Sequence, residues 1–194
     1  MKTRFLIKYV GFVFFLLPFF SSAQEDSLTK LKLQLQLTIP GTFSYVNADE
    51  LGNIFVLTDR NRLIKYNNKG ILLASGNDMG NYGKTTMIDL NNPLKPLVFQ
   101  QSFGVITVLD RQMSAQSRIN LRAKGLLAVS AICGSYDNKI WLFDQQNFIV
   151  KKMDDDFAAV VESADCRMLT GEAPEIKQMI ESGGQLYLYD PLKG

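Results

Sequence analysis

The chain contains 194 residues, of which 46% are hydrophobic, 21% charged and 11% aromatic. This composition is typical of a folded globular protein, and it excludes a disordered, collagenous or multi-pass membrane protein. The sequence contains no histidine, which excludes Ser-His-Asp and Cys-His catalysis, HExxH metal sites and pH switching through imidazole.

Residues 1–23 have the features of a secretory signal peptide. Three basic residues stand before or at the start of an apolar run over 9–20, and small residues 21–23 precede Gln24. The apolar run contains Pro18 and falls short of the ~20 residues that span a bilayer, so we expect cleavage after Ala23. The sequence therefore predicts a mature domain over 24–194 that has no membrane span and is periplasmic or secreted.

Cleavage also changes the charge of the protein. The segment 1–23 carries Lys2, Arg4 and Lys8 and no acidic residue, so the mature chain has 18 basic residues against 19 acidic ones, a net charge of −1. A nucleic-acid binder normally presents a strongly basic surface. We therefore expect no nucleic-acid partner.

Cys133 and Cys166 are the only thiols. An oxidising compartment would permit a disulfide between them, and closing that loop would stabilise the fold by roughly 3–4 kcal/mol. Cys133 follows the apolar stretch 126–132, where a buried free thiol packs as a small hydrophobe. The sequence favours two free thiols and does not exclude a disulfide between them.

The mature chain has the pattern of β-strands almost throughout. Apolar and polar residues alternate strictly over 31–39, which predicts a strand with one apolar face that ends at Pro40. Short aliphatic and aromatic runs then recur between turn-forming clusters. Helix is expected only locally, around 174–181.

The most informative pattern is an internal repeat. Residues 53–57 resemble 139–143, and the polar turn 67–70 falls on 153–156 at the same offset of 86. Further copies of the strand begin near 97 and 186, so units start at 54, 97, 140 and 186. A period of about 43 residues with four short strands is typical of a β-propeller blade; a β-sandwich with evenly spaced strands is the alternative.

Three segments carry a resemblance to a known family, namely 92–99 with Leu109-Asp110, 141–148, and 186–191. Their sequences are similar to those of exported bacterial proteins of unknown function related to six-bladed, NHL-like β-propellers. The resemblance covers nearly the whole mature chain and implies fold and export, but it implies no chemistry.

The members of that family continue past the segment that resembles 186–191, whereas this chain ends inside its fourth unit. We therefore expect an all-β chain of about four propeller-type units of about 43 residues, the last incomplete, in an open or partial ring. The open sheet edge predicts a homodimer, and a truncated propeller without function is an alternative.

Two motifs resemble cofactor or metal sites, but each departs from the pattern that such a site requires. Residues 78–85 resemble a phosphate-binding loop, but Asp78 stands where the first glycine is required, and a strand pattern follows instead of a helix. Asp154, Asp155 and Asp156 are the type of residue that binds calcium, but the repeat places them in a hairpin turn. The sequence predicts no cofactor and no metal.

The aromatic residues Phe55, Phe99, Trp141 and Tyr187 recur once per unit. They could form a face that stacks on sugars, but burial between units is the commoner arrangement for such large rings. We expect them in the core.

Ligands of propellers usually bind in the central channel, which the first strand of each blade lines. The pattern places those strands near 45–49, 87–90, 129–132 and 176–179. Their polar residues, which are the candidate channel residues, are Asn47, Asp49, Asp89, Ser130 and Lys177. Asp49 and Asp89 could in principle form the carboxylate pair of a glycosidase.

The leading hypothesis is an exported, non-catalytic binding or scaffold module of the cell envelope with a protein or glycan partner. It depends on export, on the repeats and on the absence of a recognisable catalytic set. The rival is an exported hydrolase or lyase acting on a carbohydrate or ester, since fold alone does not fix function.

Overall fold

The computed structural model of the protein describes residues 32–76 and 82–193. The predicted signal peptide 1–23, the cleavage position after Ala23 and the first part of the loop 78–85 lie outside these residues. The described chain is almost entirely β, in three four-stranded antiparallel sheets and one two-stranded sheet.

The strands follow the chain in order. The first sheet comprises β1 (Phe43–Ala48), β2 (Ile54–Thr58), β3 (Leu63–Tyr66) and β4 (Leu72–Gly76). The second comprises β5 (Met87–Asp89), β6 (Leu97–Gln100), β7 (Val105–Leu109) and β8 (Ala115–Asn120). The third comprises β9 (Val129–Gly134), β10 (Ile140–Asp144), β11 (Ile149–Met153) and β12 (Ala159–Glu162). The two-stranded sheet comprises β13 (Gln178–Ser182) and β14 (Gln185–Tyr189).

The predicted repeat is confirmed. Each four-stranded sheet is a meander in which consecutive strands pair, and the second strands begin at residues 54, 97, 140 and 185. The fourth unit has two strands among the described residues, as the incomplete last unit predicts. The described sheets form no closed ring.

Successive sheets pack face to face through three apolar clusters. Phe55 and Leu63 meet Val98 between the first and second sheets, and Phe99 and Leu142 belong to the cluster between the second and third. A third cluster joins the third sheet to the β13–β14 hairpin. Each fully buried large side chain contributes about 1.5–3 kcal/mol, so these interfaces hold the row of sheets together.

The four recurring aromatic residues do not share one environment. Phe55 and Phe99 are completely buried, as expected for core residues. Trp141 is half-buried, and Tyr187 in the two-stranded sheet is 52% exposed. An aromatic side chain is therefore buried where a neighbouring sheet packs over its ring, and it is exposed where no sheet does.

The turn between the third and fourth strand is built in the same way in each of the first three units. Asn67, Asp110 and Asp154 each accept a hydrogen bond from the backbone N–H four residues later, at 2.9, 2.9 and 2.8 Å. The residue three positions after each of them has a left-handed backbone, with φ values of 76°, 65° and 63°. This confirms the acidic triplet as a hairpin turn and places Asp154, not Met153, opposite Asn67, one residue from the predicted alignment.

Asp144 and Asp190 likewise cap turns at the ends of strands. The Asp144 carboxylate accepts from the backbone N–H of Gln146 at 3.1 Å, and that of Asp190 accepts from Leu192 at 2.9 Å. Short polar side chains that bond their own turn have this role commonly.

Two local predictions are wrong. Residues 32–42 form no strand, because a strand needs a hydrogen-bonded neighbour and none of the described strands pairs with this segment. The local helix lies at Cys166–Thr170 (α1), where the Asp165 side chain accepts from the backbone N–H of Arg167, and 178–182 form β13 instead.

Both thiols are free and buried. Cys133 on β9 and Cys166 at the start of α1 belong to the same apolar cluster beside the β13–β14 hairpin. Within 32–76 and 82–193, no helix is long and apolar enough to cross a membrane.

Candidate functional site

The first strands of the four units are neighbours, as the predicted channel requires. β9 contacts both β5 and β13, and the Tyr45 hydroxyl of β1 donates to the Ile88 carbonyl of β5 at 3.1 Å. Polar side chains along these strands line two separate clefts.

The end of β1, the whole of β5 and the start of β13 border a cleft of about 270 Å³, here called the acidic cleft. Its polar lining residues are Asn47, Asp49, Glu50, Asp89, Asn91 and Gln178. It adjoins a space of about 330 Å³ that shares Glu50 and Asn91 and is also lined by Tyr136 and Glu181. None of the described residues lining either space is basic, so both favour donors and cations.

Asp49 uses both carboxylate oxygens to hold the β1–β2 turn. Oδ1 accepts from the backbone N–H groups of Leu51 and Asn53, at 3.0 and 2.8 Å, and Oδ2 accepts from the Asn53 side chain at 2.8 Å. The residue is buried. Its carboxylate therefore has a structural role at the rim of the cleft.

Asp89, at the end of β5, has the most strongly shifted pKa among the acidic residues of the cleft. Burial raises the pKa of Asp89 to about 6, although hydrogen bonds from the backbone N–H groups of Gly134 and Asn91 oppose that rise. A Cβ on Gly134 would lie 3.0 Å from Asp89 Oδ1, so the glycine leaves room for the carboxyl group. A carboxyl group that titrates near neutral pH can act as an acid or base.

Asn91 and Glu181 join three units at the rim. The Asn91 side chain donates to the backbone carbonyl oxygens of Glu181 and Gly134, at 2.9 and 3.4 Å. Glu181 Oε2 accepts from the backbone N–H of Tyr136 at 3.0 Å. These bonds cross between the second, third and fourth units, so the rim is built by side chains as well as by sheets.

The other two predicted channel residues lie elsewhere. Ser130 and Lys177 line a different cleft of about 390 Å³ at the starts of β9 and β13, together with Gln101, Gln145 and Glu175. Lys177 forms an ion pair with Glu175. The predicted set of five residues is therefore divided, with Asn47, Asp49 and Asp89 in the acidic cleft and Ser130 and Lys177 in this second cleft.

Sequence reasoning missed Glu50, Asn91 and Glu181. Asn91 bonds to the backbone of a residue 43 positions later, one repeat length away. Comparing positions one and two repeat lengths apart would therefore have found Asn91 and Glu181, because residues 91, 134 and 181 meet at the rim.

The cleft carries few groups for covalent chemistry. Cys133 is completely buried, and burial, with smaller effects from Asp89 and Glu181, holds the pKa of its thiol far above the usual range. A thiol nucleophile must be accessible and ionised, so Cys133 does not qualify. Within the described residues, no three Cys, Asp or Glu side chains group as a metal site.

The fold is similar to those of several solved structures. A Bacteroides fragilis NCTC 9343 protein described as exported (BF0058) gives a TM-score of 0.54 at 13% identity, covering 83% of this chain and 48% of that one. The WD40 domain of Neurospora crassa Pan2 gives 0.51 at 11% identity, covering 78% and 47%. The extracellular domain of the B. thetaiotaomicron hybrid two-component system BT3049 gives 0.52 at 16% identity, covering 76% and 20%.

These identities establish fold alone, and the fold is of the β-propeller type. The chain spans about half the length of the first two structures. No protein-family profile matches the sequence, and no curated protein matches it. The chain is therefore an all-β protein built of propeller-type blades.

Proposed function

We propose that this protein is an exported, non-catalytic binding module of the cell envelope whose acidic cleft receives a glycan or protein partner. The proposal depends on the hydrogen bonds that the carboxylates in and beside the cleft make to the backbone. Asp49 and Glu181 accept hydrogen bonds from nearby backbone N–H groups, so they shape the rim and are poorly placed to exchange protons with a substrate.

The location of the protein is part of the proposal. Two of the similar structures are described as exported or extracellular, which agrees with the predicted signal peptide. Mass spectrometry of the chain secreted from its own N-terminus tests it, since cleavage after Ala23 leaves Gln24 as the first residue. Retention of residues 1–23 would contradict the proposed processing.

The binding proposal is tested with the chain expressed for export from its own N-terminus. It is incubated with an array of bacterial polysaccharides and peptidoglycan fragments, and binding and cleavage are measured on the same samples. We expect saturable binding without new reducing ends. Glu50→Gln and Gln178→Ala, which alter the cleft lining, should weaken binding, whereas Gln116→Ala on the exposed face of β8 should not.

The rival function remains the exported hydrolase or lyase, and Asp89 is the observation that favours it. Its pKa of about 6 suits a general acid. Turnover that is lost in Asp49→Asn or Asp89→Asn while the fold is kept would replace the binding proposal by an enzymatic one.

We also propose that the protein self-associates through the β13–β14 hairpin. Among the described residues that sheet has two strands where each of the other three has four, and an uncovered sheet edge readily pairs with another chain. Light scattering coupled to size-exclusion chromatography should give twice the mass of one chain; the mass of a single chain would contradict it.

A further inference from the structure

The hairpin leaves an apolar notch beside β14. The inward face of the hairpin packs on the third sheet, with Met179 buried and Leu186 against the same cluster. Leu188 lies opposite Met179 and therefore points to the same side, yet it is 38% exposed. The third sheet therefore covers the inward face of the hairpin only in part, and Leu188 on β14 is left partly exposed.

The facing surface of the third sheet is uncovered in the same place. Trp141, Lys152 and Val161 lie opposite one another across β10, β11 and β12, so their side chains share one face. The inner part of this face is covered by the hairpin, but Val161 is 47% exposed. The notch is thus bounded by Leu188, by Val161 and by the edge of β14, which pairs with no described strand.

The N-terminal segment has the complementary pattern. Leu33 and Leu35 are 92% and 85% exposed and alternate with Lys32, Gln34 and Gln36, which are also exposed. This alternation is that of a strand with one apolar face, but the segment has no strand partner among the described residues. We call residues 33–36 the N-terminal arm.

The chain leaves the arm at the first sheet. Leu37, which follows it, lies against Gly70 in the β3–β4 turn, where a Cβ would come within 2.8 Å of the leucine side chain. That turn belongs to the first sheet, whereas β14 belongs to the last. A second copy of the chain is therefore the natural source of the arm that reaches the notch.

We infer that the N-terminal arm of one copy adds to β14 of a second copy as a further antiparallel or parallel strand, with Leu33 and Leu35 in the notch beside Leu188 and Val161. This inference rests on the proposed self-association and names the segments that produce it. Strand addition satisfies the free backbone groups of β14, while the alternate leucines cover the apolar face. The polar residues of the arm then face solvent.

Two measurements on the full chain test the inference. In the first, light scattering compares the wild type with Leu33→Asp/Leu35→Asp and with the control Met168→Asp, an exposed position on α1. We expect the arm variant to have the mass of one chain and the control to keep twice that mass, both with unchanged circular dichroism. A variant that stays dimeric overturns the arm as the contact but leaves self-association standing; a monomeric wild type overturns both.

The second measurement is a cross-link between copies that carry different tags. A Leu35→Cys copy is mixed with a Leu188→Cys copy and oxidised, and a disulfide that joins the two tags is expected, because Leu188 lies on the face that the arm leucines cover. Leu35→Cys mixed with Leu127→Cys, an exposed position away from the hairpin, is the control. Equal cross-linking of the two mixtures would overturn the inference; neither measurement depends on the ligand of the acidic cleft.

Discussion

The side-chain amide nitrogen of Asn91 lies 2.9 Å from the backbone carbonyl oxygen of Glu181, 90 residues away in the chain. Asn91 follows β5 and Glu181 is on β13, so one amide fixes the last hairpin to the second unit. The same amide also reaches Gly134 on β9. The rim of the acidic cleft therefore depends on this residue.

We predict that Asn91→Ala destabilises the fold by about 1–3 kcal/mol, because it removes hydrogen bonds to two partly buried carbonyl oxygens. Urea unfolding followed through the fluorescence of Trp141, the only tryptophan, measures the change. Asn68→Ala, at an exposed turn position, is the matched control and should leave the midpoint unchanged. Equal midpoints for both variants would show that the inter-unit bonds contribute nothing.

Asp89 should give the fold a distinct pH dependence. Its pKa is raised from 3.8 to about 6 by burial, so between these pH values the folded chain binds a proton that the unfolded chain releases. This contribution to stability is complete below about pH 4 and is lost as the pH rises through about 6. We predict that Asp89→Asn stabilises the fold at pH 7 by about 1–3 kcal/mol, and by much less at pH 4.

The comparison of Asp89→Asn with the wild type at both pH values isolates this effect from the other acids, which titrate in both proteins. Asp59→Asn at an exposed position controls for the loss of one negative charge. The same free-energy difference at pH 4 and pH 7 would argue against a raised pKa of Asp89.

Asp137 should stabilise the third sheet through Lys152. The Lys152 ammonium is nearly buried, 2.9 Å from the Asp137 carboxylate and about 5 Å from the rings of Tyr136 and Trp141. Partial burial raises the pKa of Asp137, but Lys139 and Lys152 lower it more strongly, to well below its usual range. Its stabilising effect is therefore present at neutral pH and is lost on acidification.

We predict that Asp137→Asn costs about 1–3 kcal/mol at pH 7, because it removes the charged partner of a buried ammonium. Asp155→Asn is the control, since Asp155 is 92% exposed and its ion pair with Lys95 is long, at 3.8 Å. Thermal unfolding should separate the two variants. Equal melting temperatures for the two variants would show that the carboxylate of Asp137 does not stabilise the buried Lys152 ammonium.

The acidic triplet should behave as a turn. Asp154→Ala removes the acceptor of the Ala158 N–H and should cost about 0.5–2 kcal/mol, as the loss of a capping side chain does. Asp156→Ala, at an exposed position of the same turn, should be close to neutral. Calcium titration of the wild type checks the alternative, because a calcium-dependent rise in melting temperature would contradict the turn assignment.

The sequence predicts the β-units well because their signal is local and repeated. Runs such as 54–58 and 140–144 recur at a constant offset, and each pairs with its immediate neighbours in the chain. The strand expected over 31–39 fails for the opposite reason, since alternation shows that a segment can be a strand but does not supply its partner.

The candidate site could be predicted only in part. The repeat identifies the first strands, but it does not show which cleft each side chain lines, and the adjacent residues Lys177 and Gln178 line different clefts. Ser130 and Lys177 were therefore grouped with Asp49 and Asp89 although they line another cleft. Asn91 was missed because its partners lie 43 and 90 residues away.

The contact between Leu37 and Gly70 sets the practical boundary of the folded unit. At the equivalent positions of the next two turns, Met113 and Phe157 bury their own side chains, whereas Gly70 has none and Leu37 lies in that space. A version of the protein trimmed to begin at Phe43 would keep every strand and still lack a piece of its first hairpin. Removing Leu37 should therefore lower the melting temperature of the single chain, so the minimal domain begins several residues before its first strand.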